Sequence, residues 1–70
     1  MLYYFDLIDG DEYPDNRGVE FGSDAAARQE ALLRALDRRD THQIQQYDEY
    51  RHIRVRDQKG RVVCRVPIDR

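Results

Sequence analysis

Seventy residues allow one domain, and a chain of this size buries only about 60% of the surface its unfolded form exposes, so two layers around a thin core are the limit. With 40% hydrophobic and 37% charged residues and a lone Cys64, composition argues against a transmembrane stretch, a secretory apolar segment and a disulfide framework; a reducing cytoplasm fits best. Net charge is only −2, but residues 1–50 hold twelve acids against five Arg and residues 51–70 hold seven Arg or Lys against two Asp, a layout that bears on steering and self-association. From Leu2 to Ile8, Tyr3, Phe5 and Leu7 alternate with Tyr4, Asp6 and Ile8, which predicts a first strand. Asp9-Gly10 is a turn signal and Asp15-Asn16-Arg17-Gly18 a second, while Pro14 between them opposes a long regular strand over 11–18. Val19 and Phe21 alternate around Glu20 as a short returning strand.

Ser23 precedes the run DAAARQEALLRALDRR, and its hydroxyl can accept from an orphan amide of a first helical turn, with Asp24 well placed against the helix dipole. A helix is predicted over 24–39. At 100° per residue Ala25, Leu32, Leu33 and Leu36 share one stripe, while Ala27, Ala31 and Ala35 form a second, flatter strip. The Leu stripe is expected on the sheet, with alanine serving as a good helix former. The alternative sets the small-residue strip against a second surface. Residues 40–50, DTHQIQQYDEY, read as an irregular link or a short helical turn. Beyond them Ile53 and Val55 alternate with His52, Arg54 and Arg56, then Asp57 to Gly60 fits a type I turn closed by a left-handed glycine. Val62, Cys64, Val66 and Ile68 are expected on one face of the last strand. The order strand, short strand, helix, strand, strand predicts an α+β domain, a small antiparallel sheet with one helix packed on one face.

The segments YYFDLIDG, DNRGVEF, ARQEAL and IRVRDQKGRVVCRVPI resemble a family of short, uncharacterised bacterial domains of unknown function, which carry an N-terminal YYF-x-L-x-DG motif. The likeness covers most of the chain except residues 40–49. It implies a small α+β fold and carries no active residues. The element order also has a looser likeness to small antitoxin-type α/β modules, a fold analogy only.

Candidate chemistry is sparse. Asp9, Asp11, Asp15 and Glu20 match positions 1, 3, 7 and 12 of a calcium loop, but Tyr13 and Pro14 stand where that loop needs a ligand and a glycine, and a strand precedes it. A solvated acidic turn is expected there. His42 and His52 lack zinc-site spacing, and His52 and Cys64 fall in opposite strand phases, so Cys64 reads as a small core residue rather than a nucleophile. No enzyme activity, metal or cofactor is expected. The terminal hairpin is the better candidate: His52, Arg54, Arg56, Arg61 and Arg65 are placed on one outer surface, with Tyr4 and Asp6 as cross-strand neighbours. The expected function is a small non-enzymatic interaction or regulatory module that binds a protein partner or a second copy through Tyr4, Arg54, Arg56, Arg61 and Arg65. A nucleic-acid-binding regulator using the same arginines is the alternative, less favoured in an acidic chain. A structural domain without a dedicated partner surface is the third.

Overall fold

Strand β1 (Leu2–Asp9) forms where the period-two run predicts it and lies inside the sheet. The computed structural model describes residues 1–41 and 51–68. Along one edge β1 pairs with β2 (Asp11–Tyr13) and with β3 (Val19–Glu20), and along the other with β4 (His52–Asp57), which in turn pairs with β5 (Val62–Pro67). All pairings are antiparallel. Helix α1 (Asp24–Thr41) packs on β4 and β5. The domain is α+β, as its sequence pattern predicts.

Local chemistry explains each boundary. Asp9 pairs with Asp11 across Gly10, so the first turn is as tight as a hairpin allows, and β2 stops where Pro14 removes a backbone donor. The sequence pattern alone does not announce β2. Ser23 caps α1, its Oγ accepting from the Ala26 N–H at 3.1 Å. The helix runs to Thr41, two residues beyond the predicted end; the expected irregular link lies, over 42–50, outside the described residues. The hairpin turn is the predicted one: the Gly60 N–H donates to the Asp57 carbonyl at 2.9 Å, the Asp57 N–H donates to the Arg61 carbonyl at 2.9 Å, and Gly60 has φ +87°.

Two expectations are corrected by the packing. Among the described side chains of α1, Ala27, Ala31 and Ala35 are buried in the core, while Leu32, Leu33 and Leu36 are 36%, 55% and 50% exposed. The sheet face under the helix carries Tyr3, Phe5, Ile53, Val55 and Val66, joined by Phe21 packing edge-on against Tyr3 and Phe5. Those large side chains fill the space between the layers, and the helix meets them with its small residues. The second correction concerns β5. A register shift between Val55 and Arg56 sets Val55 opposite Cys64 but Arg56 opposite Val62. The extra residue, Val63, packs against the core, and Val62 moves to the outer face at 40% exposure instead of lining up with Cys64.

Candidate functional site

The face of the sheet away from the helix carries the charged residues singled out in the sequence. Asp6 pairs in register with Arg54, and Tyr4 with Arg56, so the expected cross-strand neighbours meet. Asp6 has no solvent exposure. Its Oδ2 accepts from Arg54 Nε at 2.9 Å and Arg56 Nε at 2.6 Å, and its Oδ1 from Arg56 Nη2 at 3.0 Å and the Asp15 N–H at 2.9 Å. Four bonds use the full accepting capacity of a carboxylate. Burial alone would raise this carboxyl, but the bonds from Arg56, Asp15 and Arg54 outweigh it and hold Asp6 below the ordinary aspartate value. The same contact raises Arg56, against the opposing effect of burial. Its guanidinium also lies 5.1 Å from the Tyr4 ring centroid, and Tyr4 is backed on another side by Gly18.

Asp15 is a structural residue rather than the solvated acid expected of an acidic turn. Its Oδ2 accepts from the Phe5 N–H at 3.1 Å and its Oδ1 from the Arg17 N–H at 3.0 Å, and the Gly18 N–H approaches at 3.5 Å. Burial raises its carboxyl, yet the Arg17, Phe5 and Gly18 amides together hold it below the ordinary value. The loop between β2 and β3 is thereby strapped to the middle of β1. Among the described residues no group of three or more His, Cys, Asp or Glu is placed to hold a metal ion.

Arg61 does not join the arginine row. The turn swings it to the helix side of the sheet, where its Nε donates to Asp57 Oδ2 at 3.0 Å and its Nη2 reaches Asp24 Oδ2 at 3.3 Å. Asp57 also accepts from the Arg61 and Lys59 amides; these bonds, led by the Arg61 N–H and opposed by burial, hold it below the ordinary value. The Tyr3 hydroxyl donates to Asp24 Oδ1 at 2.7 Å, and that bond, with burial, pushes the Tyr3 phenol up to about 12. Of the five residues expected to face a partner, Tyr4, Arg54 and Arg56 therefore gather around Asp6, Arg61 closes the hairpin onto α1, and Arg65 lies exposed on β5 opposite Arg54. His52 shares the outer phase with Arg54, while Cys64 faces the core, where burial pushes its thiol up.

A second surface emerges from the packing and not from the sequence reading. The outer side of α1 and strand β5 bound an open apolar groove of about 400 Å³, lined by Leu32, Leu33, Leu36, Val66 and Pro67. Its walls are the Leu stripe left uncovered when the alanines took the sheet. The signal for it was the leucine stripe on α1, which the sequence reading assigned to the sheet.

A five-stranded antiparallel sheet, one capped helix on one face and a carboxylate–arginine cluster on the other define a small α+β domain. Residues 2–69 match the family described as Domain of unknown function (DUF6894), and the chain belongs to it. The chain matches no curated protein and no solved structure. Among the described residues, no helix is long and apolar enough to cross a membrane.

Proposed function

We propose that this domain is a small, non-enzymatic, cytoplasmic protein-interaction module whose contact surface is the apolar groove between α1 and β5. One observation carries the reading: Leu32, Leu33 and Leu36 stand exposed together beside Val66 and Pro67 in a domain with little apolar material to spare. The arginines support it by subtraction, because Arg54 and Arg56 are turned inward onto Asp6, and Arg61, although exposed, is ion-paired with Asp57 and Asp24. Arginines bound in this way offer little to phosphate, which weakens the nucleic-acid alternative. The non-enzymatic part rests on the same saturation of Asp6 and on a Cys64 that packs against the core, where burial pushes its thiol up.

Capture from a lysate of the cells that make the protein tests this reading, with the full chain immobilised beside its Leu33→Glu and Arg65→Ala variants. A bound polypeptide retained by Arg65→Ala and lost by Leu33→Glu supports the groove. Recovery of nucleic acid, or of polypeptides indifferent to Leu33→Glu, overturns it.

A further inference from the structure

Strand β5 is the last strand on its side of the sheet, and among the described residues it pairs only with β4. Its free edge can be read group by group. The Ile68 N–H donates to the Arg51 carbonyl at 3.0 Å, so Ile68 and, at period two, Val66 and Cys64 turn their backbone groups toward β4. Arg65 and Pro67 turn theirs outward. Arg65 presents both an N–H and a carbonyl there, whereas Pro67 presents a carbonyl alone. The apolar groove opens beside this stretch, with Leu32 and Leu36 on the helix side and Val66 and Pro67 on the strand side. Resting on the reading of that groove as the contact surface, we propose that it takes an extended segment of a partner protein, added to the sheet as an antiparallel strand beside β5. The segment carries an acidic residue opposite Arg65 and an apolar residue on either side of it.

Three observations support that chemistry. An open N–H and carbonyl on one edge residue are satisfied together by a single residue of an antiparallel strand, and every pairing in this sheet is antiparallel. Strand phase then orients the newcomer. Arg65 is paired with Arg54 on the face away from α1, so the residue opposite Arg65 points away from the helix and its two neighbours point toward it. On the helix side they meet the exposed Leu32 and Leu36, which calls for apolar side chains. Charge sets the middle residue. Arg65 is exposed, stands directly opposite another arginine and has no acidic partner among the described residues, while Arg54 is already held by Asp6 and Glu12. A carboxylate opposite Arg65 supplies the missing counter-charge. Arg28, also without an acidic partner among the described residues, acts on the Cys64 thiol and so places a second cation on the β5 side of α1.

Selection of displayed random decapeptides on the full chain tests the proposal, followed by titration of the enriched peptides, as synthetic material, into isotope-labelled protein. The proposal expects peptides with an acidic residue between two apolar ones, no proline at those three positions, and slower exchange of the Arg65 amide on binding. Methylating the backbone nitrogen of the acidic residue removes its donor and should weaken binding at least about tenfold. Leu36→Glu should do the same. Arg65→Glu should weaken binding a few-fold, and lysine in place of the peptide's acid should restore it. Leu36 and Arg65 are both exposed, so folding is not at stake. Enriched peptides with apolar residues at helical spacing, binding indifferent to the methylation or to Leu36→Glu, or no enriched peptide at all overturns the proposal. In the last case Arg65, Pro67 and the extra residue Val63 serve only to blunt the edge. Peptides of helical spacing that lose affinity in Leu33→Glu remove the added strand and leave the groove standing as a contact surface.

Discussion

Asp6 and Arg56 lie on neighbouring strands, and the Arg56 guanidinium grips the Asp6 carboxylate with two parallel hydrogen bonds of 2.6 and 3.0 Å in a place no solvent reaches Asp6. Arg54 and the Asp15 amide complete the set. Removing the carboxylate takes from Arg56 its ion pair and leaves Arg54 with its 3.4 Å contact to Glu12. Asp6→Ala should therefore cost about 3 kcal/mol, while Asp6→Asn, which keeps an acceptor for the Asp15 amide, should cost about 2 kcal/mol. Urea melts compare the two; both variants lack the charge, so equal costs would show that the acceptor kept by asparagine contributes little and that the loss is that of the charge.

Stability should fall in acid for the same reason. Asp6, Asp15 and Asp57 are all held below the ordinary aspartate value of 3.8 in the folded chain. Their contribution is fully present above the unfolded value and is lost as pH falls through the folded values, so the loss begins near pH 4 and deepens below it. Melting temperature followed from neutral pH downward checks the sign. Asp6→Asn should flatten the acid limb.

At the alkaline end the relevant group is Tyr3, pushed from 10.0 to about 12 by its hydrogen bond to Asp24 and by burial. A folded value above the unfolded one gives stability that is intact below pH 10 and disappears as pH rises through the folded value. Phenolate absorbance should show a late-titrating component, and Tyr3→Phe should remove it. Asp24→Asn should lower that component back toward the ordinary tyrosine value of 10.0.

Gly18 and Gly60 have similar backbones, φ +75° and +87°, in different surroundings. A Cβ at Gly60 meets nothing within 4 Å, whereas one at Gly18 would stand 2.9 Å from Tyr4 Cε1. Gly60→Ala should cost about 1 kcal/mol, from backbone conformation alone, and Gly60→Val more. Gly18→Ala should exceed Gly60→Ala, and the excess should shrink in a Tyr4→Ala background, as a double-mutant cycle in urea would register.

The two apolar stripes of α1 should respond oppositely to the same substitution. Ala31 is fully buried, so Ala31→Glu forces a carboxylate against the sheet and should prevent folding. Leu36→Glu, at a half-exposed site, should leave the far-ultraviolet spectrum and the urea midpoint of the monomer close to those of the parent chain.

Where one residue type admits one conformation, the sequence was legible. Ser23 before an acidic first turn, the Asp57–Gly60 turn, and the alternation of Tyr3, Phe5 and Leu7 each specify their own geometry locally. The pairing of Asp6 and Tyr4 beside the arginines was also readable, because strand phase is fixed by period two. The buried face of α1 was not. Leucine outranks alanine on any hydrophobicity scale, but the choice was made by Tyr3, Phe5 and Phe21, distant in sequence, whose bulk leaves room for methyl groups only. Nor could the row of arginines be read to its end, since Arg61 is diverted by Asp57 and Asp24, and Val62 is displaced by one inserted residue. Loop acids such as Asp15 carry no local mark of what they will bind.

The strap made by Asp15 limits what this sheet can build. On the outer side of β1, β3 occupies Leu2 and Tyr3, β2 occupies Leu7 to Asp9, and between them the Phe5 amide is already given to the Asp15 side chain. A carboxylate thus stands in for a strand along the middle of β1. Among the described residues the outer strands are then β2 and β3 on one side, three and two residues long, and the six-residue β5 on the other, so a strand added beside β1 finds only short, interrupted partners while one added beside β5 finds a longer one.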